Sequence, residues 1–176
     1  MTKEMIEFFL TYNPLTGVFI WKKRELEMFK THRAFIQWNK RYAGTIAGSV
    51  KNNGYIFISI KKKIIRAHRL AWLITYGEWP VFQIDHINGN PSDNSINNLR
   101  DVPASVNAKN KRLFNKSSTG FSGVYLHQNG KFRVKGMVDN SQKHIGYFVN
   151  LQDAVKARKV FEANNGFHAN HGRAEA

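Results

Sequence analysis

The sequence predicts an α+β chain built as two modules, and three patterns carry that expectation. An Asn53-Gly54 pair lies between two apolar runs, Thr45 to Val50 and Tyr55 to Ile60, the arrangement of a β-hairpin with a tight turn. Leu70, Leu73 and Ile74 recur at helical spacing within Arg66 to Tyr76. Three short alternating segments, Gly123 to His127, Lys131 to Gly136 and Lys143 to Phe148, precede a helical stretch from Leu151 to Asn164.

Taken in order, Asn13-Pro14-Leu15-Thr16-Gly17 is a turn leading into an apolar strand, Val18 to Trp21. The stretch Lys22 to Arg41 mixes charges and aromatics and gives no clear period. After the Asn53-Gly54 hairpin, Lys61-Lys62-Lys63 marks another turn and Ile64-Ile65 returns. The helix from Arg66 should stop at Gly77, with Pro80 just beyond. Ala104 to Leu113 reads as a second helix, with Pro103 at its start. Asn115 to Gly120 is polar and is the best linker, which places the module boundary at 116/117. In the last module, turns fall at Asn129-Gly130 and Asp139-Asn140-Ser141. Asn150 is placed to cap the final helix, and Ala154, Ala157, Val160 and Phe161 form its expected apolar stripe.

Composition narrows the function. The chain has 176 residues, 27 Lys plus Arg against 12 Asp plus Glu, and a net charge of +15. With 42% hydrophobic and 13% aromatic residues it can bury a core, unlike a disordered basic tail. It has no Cys, which excludes disulfides, thiol catalysis and Cys-ligated zinc. No apolar run approaches the roughly 20 residues of a membrane span. The start lacks a signal-peptide stretch, so a cytoplasmic protein is expected. The charge is also clustered. Met28 to Gly77 holds ten basic residues and no acid, and Val102 to Val138 holds seven and no acid. Such fields favour a polyanion, and nucleic acid is the commonest one in cytoplasm. An anionic membrane surface fits less well, because no amphipathic basic helix is evident in the sequence.

The chemistry concentrates in Asp85-His86-Ile87-Asn88-Gly89-Asn90-Pro91, with Asn98-Leu99-Arg100 and Asn107 beyond. Asp85 and the Asn107 amide offer hard oxygen ligands suited to magnesium. His86 titrates near neutrality and can take a proton from water. A single Asp-His pair also serves many purely structural ends. Strand alternation points the two side chains apart unless the chain bends there.

The run from Arg66-Ala67-His68-Arg69-Leu70 through Ile84 to Pro91, Asp93-Asn94, Asn98-Leu99-Arg100 and Asn107 resembles the HNH endonucleases. It is most similar to their phage and intron-encoded homing branch, in which the third motif position is Asn. The resemblance implies a ββα fold gripping one divalent metal, magnesium or manganese. Asp85 and Asn107 would be its ligands, His86 the general base, and Asn98 the residue that holds the loop and the His86 backbone. The products would carry 5′-phosphate and 3′-hydroxyl ends. Many relatives staple this motif with a Cys-ligated zinc. Here packing must do that work. Asn94 and Arg100 read as loop hydrogen bonding and a phosphate contact, and His68 as a buried polar anchor rather than a catalytic residue. Lys109, Lys111 and Arg112 follow as further candidate DNA contacts.

In the last module, alternation puts Lys131, Arg133 and Lys135 with Tyr125 and His127 on one sheet face, opposite Phe132, Val134, Val124 and Leu126. That face suits the major groove, although an ordinary solvated face has the same pattern. Gly120 to His171 also resembles an Apetala-type (ethylene-response-factor-like) DNA-binding domain. The residues that carry this are Gly123-Val124-Tyr125, Lys131 to Val134, Ile145-Gly146-Tyr147-Phe148, Asp153-Ala154 and Ala157. Phe132 stands where that family usually has Trp or Arg. The expected protein is a DNA endonuclease, monomeric on double-stranded DNA, with no membrane and no small-molecule cofactor. A bacterial host cell, with a phage or mobile element as source, is the expected setting. The rivals are a non-catalytic DNA-binding regulator on the same scaffold and an RNA-binding protein.

Overall fold

The computed structural model describes residues 1–111, 118–139 and 141–172. The expected boundary at 116/117, residues 115–117 of the linker, and Arg112 lie outside these residues. Packing divides the chain into two compact units, Met1–Val102 and Pro103–Ala176. Both combine helices and antiparallel sheet, so the α+β class holds.

The first unit opens with α1 (Lys3–Phe9), capped by the Thr2 hydroxyl, and runs directly into β1 (Leu10–Tyr12). The Asn13 to Gly17 turn returns it as β2 (Phe19–Trp21), paired antiparallel with β1. Helix α2 (His32–Tyr42) occupies the stretch that has no clear period in the sequence. It is amphipathic and basic, which corrects the expectation that no such helix is present. Only Ala34, Phe35, Trp38, Asn39 and Tyr42 turn inward, and none is fully buried. Strands β3 (Ser49–Val50), β4 (Ile56–Ile60) and β5 (Lys63–Arg66) form a three-stranded antiparallel sheet.

Helix α3 (Ala67–Tyr76) follows and ends at Gly77 in the left-handed conformation, φ 83°. This is the expected stop, because a residue with a Cβ pays to adopt that angle. Its face of Ala67, Leu70, Ala71 and Leu73 meets Ile58 and Ile60 of β4 and Ile6, Phe9 and Leu10 of the N-terminal elements in one core. Leu70, Ile58 and Ile60 are fully buried, each worth about 1.5–3 kcal/mol. Strands β6 (Gln83–His86) and β7 (Leu99–Val102) close the unit as a hairpin, anchored in the same core through Ile84 and Leu99.

The second unit starts with α4 (Ala104–Ala108), shorter than the expected 104–113. The Lys109 carbonyl accepts from His168 N–H and the Lys111 carbonyl from Gly172 N–H. Tertiary partners thus take carbonyls that a continuing helix would need, and Asn107 and Asn110 are weak helix formers. Strands β8 (Val124–Leu126), β9 (Phe132–Val138) and β10 (Ser141–Phe148) form a sheet in the order β10-β9-β8. Helix α5 (Leu151–Asn164) is capped by the Asn150 side chain, which accepts from Asp153 N–H at 3.2 Å.

The α5 stripe differs from the expected one. Ala154 is buried among Val124 and Val134, but the other fully buried positions are Arg158 and Glu162, and Val160 is exposed. Arg158 Nε donates to Glu162 Oε1 at 2.9 Å and Nη1 to the Lys135 carbonyl at 2.8 Å. A buried ion pair one turn apart has therefore replaced apolar packing. Gly136 makes the room: a Cβ there would collide with the Phe161 ring.

Candidate active site

Asp85 and His86 end β6, and antiparallel register puts Asp85 opposite Arg100 and His86 opposite Leu99. Both side chains are buried, 6% and 4% exposed. Arg100 reaches across the hairpin and donates from Nε at 2.9 Å and Nη2 at 2.7 Å, both to Asp85 Oδ2. The expected phosphate contact is thus spent on the candidate ligand carboxylate.

His86 packs in a ring cluster with His68 of α3 and Tyr55, at centroid distances of 5.1 and 5.7 Å. Burial pushes the His86 imidazole below its usual pKa, against the opposing pull of Asn94, Asp85 and Asp93. Burial pushes His68 further, down to about 3, with His86, Arg66 and Arg69 adding to it. Burial thus favours the neutral, proton-accepting form of both rings, and His68 is 3% exposed.

His86 Nε2 lies 3.5 Å from Asn94 Oδ1. The Asn94 amide is oriented by its own Nδ2 donating to the Ser92 carbonyl at 3.1 Å, so its oxygen faces the ring. An oxygen there suits an Nε2 proton, one of the two neutral tautomers open to the ring. Asn94 is 1% exposed, and its side chain bonds the loop backbone at Ser92, as the sequence predicts.

The loop between β6 and β7 is held mainly by amide side chains. Asn98 Oδ1 accepts from Asn88 N–H at 2.9 Å, Asn98 Nδ2 donates to the Asp93 carbonyl at 2.9 Å, and the Asn98 carbonyl accepts from Ile87 N–H at 2.9 Å. These bonds flank His86 directly. Asp93 accepts from Asn88 Nδ2 at 2.7 Å and from the Ser95 hydroxyl at 2.6 Å.

Two turns from the N-terminal part wall this loop. The Tyr12 hydroxyl donates to the Asn94 carbonyl at 2.8 Å, and Ile96 N–H donates to the Pro14 carbonyl at 2.9 Å. Gly17, φ 72°, packs so closely that a Cβ would collide with the backbone of Asn94 and Ser95. On the other side the Ser92 hydroxyl donates to the Gly54 carbonyl at 2.6 Å, and a Cβ on Gly54 would stand 2.6 Å from Pro91.

Asn107 sits on α4 in the second unit. There Lys109 donates from Nζ to the Asn165 carbonyl at 2.8 Å, at the end of α5, while Lys111 is exposed. The β8–β10 sheet presents Tyr125, Arg133 and Lys135 together, with Tyr125 paired opposite Arg133 and the Lys135 ammonium 5.9 Å from the Tyr125 ring. His127 and Lys131 flank the β8–β9 turn. Leu126, expected on the helix side, is 61% exposed.

Three residues of this face escape sequence reasoning. Tyr147 lies opposite Arg133 and 5.2 Å from the His127 ring, His144 opposite Lys135 and 4.8 Å from Tyr147, and Gln142 accepts from Lys135 Nζ at 3.1 Å. A bulge between His144 and Gly146 explains the miss. It inserts a residue, so His144 and Tyr147 share a face that strict alternation would deny them.

Among the described residues no cluster of three His, Cys, Asp or Glu could hold a metal. No helix among them is long and apolar enough to cross a membrane. No curated protein and no solved structure matches the chain. Residues 66–109, which begin just before α3 and take in Asp85, His86, Asn94, Asn98, Arg100 and Asn107, match the family of HNH endonucleases, and the match supports a nuclease acting on DNA.

Proposed function

We propose that the chain is a metal-dependent DNA endonuclease of the HNH homing type, hydrolysing phosphodiester bonds with His86 as general base. The observation that carries this is a neutral, buried His86 adjoining Asp85 at the centre of the HNH-matching segment. His86 would take the proton of the attacking water. Asn98 would hold the His86 backbone in place by its bonds to Ile87 and Asn88.

The donor chemistry fits a hard divalent cation. The Asp85 carboxylate already holds a positive charge, the Arg100 guanidinium, at 2.7 Å, and Asn107 would add an amide oxygen. Magnesium, or manganese, once bound would polarise the scissile phosphate and stabilise the leaving 3′ oxygen. Two protein ligands suffice for such an ion, which keeps several waters.

The second unit would supply recognition, its Apetala-like sheet meeting double-stranded DNA through Tyr125, Arg133 and Lys135. The protein would act as a monomer in the cytoplasm of a bacterial host, encoded by a phage or mobile element.

Conversion of supercoiled plasmid to nicked or linear forms tests this reading. The wild type should cut with magnesium and stop in EDTA. His86→Ala should lose roughly 10²–10⁴-fold in the chemical step. Asp85→Ala and Asn107→Ala should stop cleavage while DNA binding persists, because phosphate contacts supply most affinity. Binding without cleavage by the wild type would leave the regulator, and a preference for RNA would leave the RNA-binding protein.

A further inference from the structure

We propose that the tip of the β4–β5 hairpin and helix α2 form a second docking surface for duplex DNA, contacting phosphates through Lys61, Lys62, Lys40 and Arg41. The identity of the polyanion rests on the nuclease reading, and the placement of the surface rests on three observations.

The first is backbone geometry. Ile60 pairs with Lys63, so Lys61-Lys62 is a two-residue hairpin loop, and both residues have positive φ, 48° and 65°. Such a loop favours Asn-Gly, which adopts these angles with little strain. This chain places Asn53-Gly54 in the turn before β4, with Gly54 at φ 78°. Two lysines forced into the left-handed region serve hairpin stability badly, and strain of this kind is found where function demands the side chain.

The second is helix α2. Its inner side is fixed: Arg24 lies 3.7 Å over the Trp38 ring, Trp21 meets Trp38 edge-on at 5.9 Å, and the Asn39 side chain bonds both backbone groups of Arg24 at 2.9 Å. Yet the helix buries no residue fully. It is held rigidly and adds little to the core. Its outer side exposes Arg33, Gln37, Lys40 and Arg41. The first turn carries no acid, only His32 and Arg33 against the positive end of the helix dipole, another local cost that an outside anion would offset.

The third is adjacency. A cleft of about 490 Å³ is lined by Trp38 and Tyr42 of α2 together with Ser59, Lys61 and Lys62 of the hairpin. The Arg41 guanidinium lies 5.2 Å from the Tyr42 ring at its border. Among the described residues no ion pair engages these four cations, and the nearest acids in sequence are Glu27 before α2 and Glu78 after α3. A lipid surface fits less well, since Trp38 is spent on Arg24 and Trp21, Phe35 packs on Phe29 and Tyr42 on Trp38, and the outer side offers only Ile36 as a large apolar group.

The decisive variant is Lys61→Asn/Lys62→Gly in the full chain, which removes two charges while relieving the turn. It should melt no lower than wild type. Its log–log salt dependence of duplex binding should flatten by about 1.8, so it should lose roughly tenfold less affinity between 50 and 200 mM salt. Lys40→Gln/Arg41→Gln should flatten the slope by a similar amount, and both pairs should keep the wild-type cleavage rate at saturating DNA. Unchanged slopes in a wild-type background that binds and cuts DNA would overturn this surface and leave the nuclease reading intact. A change for one pair alone would overturn the joint surface. Loss of binding to anionic phosphatidylserine vesicles with unchanged DNA slopes would reassign it to membranes. Wild-type protein that binds no duplex would defeat both readings together.

Discussion

Replacing Asn98 by Ala removes two bonds that hold the turn after His86, and the structure sets the size of the loss. Each bond is 2.9 Å long, and Asn98 is 8% exposed, so both are well made. A typical bond of this kind is worth about 1 kcal/mol net, with a further penalty where the abandoned partner cannot reach water. Asn88 is exposed and its amide can be rehydrated, whereas the Asp93 carbonyl is only partly accessible. The sum is about 2–3 kcal/mol. Asn98→Asp keeps the acceptor for Asn88 N–H but turns a carboxylate oxygen toward the Asp93 carbonyl, so it should keep only the first bond. Urea unfolding followed by Trp fluorescence measures the stability loss. Hydrogen exchange separates the two bonds, because the Asn88 amide should lose protection in Asn98→Ala and keep it in Asn98→Asp. Cleavage should fall about 10²-fold in Asn98→Ala, the scale expected when a catalytic group shifts by about 1 Å. An Ala variant within about 0.5 kcal/mol of wild type, with a protected Asn88 amide, would refute the assignment.

Gly17→Ala should cost about 2–4 kcal/mol, from a left-handed backbone angle plus a collision with Asn94 and Ser95, and should lower cleavage although Gly17 lies far from the motif; normal activity and melting would show that the turn does not brace the loop. His68 and His86 have folded pKa values below the unfolded 6.5, so the unfolded chain binds more protons in acid and stability present above pH 6.5 is lost as pH falls toward about 3. His68 alone should give a slope of about 1.4 kcal/mol per pH unit in that window, which His68→Gln should remove; an unchanged slope would contradict the burial. The acid limb of kcat should likewise fall below pH 6.5, and a midpoint above it would argue against a buried neutral base. Arg100→Ala removes both guanidinium bonds to the buried Asp85 carboxylate at a cost of about 2 kcal/mol, after allowing for the 31% exposure of the Arg100 side chain. Magnesium should raise the melting temperature of this variant more than that of wild type, and equal shifts would separate Asp85 from the metal.

Much of this fold is legible because its signals are local. The Gly77 stop and the Asn150 cap need only their neighbours in sequence, and the structure places both where the sequence does. Asp85-His86 and Asn98 stand out in the sequence for the same reason, as a short segment with its own spacing. What escapes depends on register or on partners distant in sequence. Arg100 reads as a phosphate contact until the β6–β7 pairing sets it opposite Asp85. Helix α2 hides because Trp38 grips Arg24 and Trp21 and Phe35 packs on Phe29, with no residue of the helix fully buried. On α5 the apolar residues suggest one stripe, whereas Gly136 admits Phe161 and Arg158 and turns the ion pair inward. The bulge in β10 leaves no mark in composition, and it moves His144 to the other face of the sheet.

The loop carrying Asn94 and Asn98 is braced by atoms from Tyr12, Pro14 and Gly54, all outside residues 66–109. The segment that bears the nuclease motif is therefore not the segment that can be transplanted. A graft of 66–109 into another scaffold would carry the reactive groups and leave behind three of the anchors that keep them still. The same dependence runs through the chain's own lifetime. A single proteolytic nick in the Asn13 to Gly17 turn would loosen a loop some seventy residues away, without touching a residue of the motif. A cysteine-free chain has thus made its first fifty-four residues the clamp on the loop that carries Asn94 and Asn98.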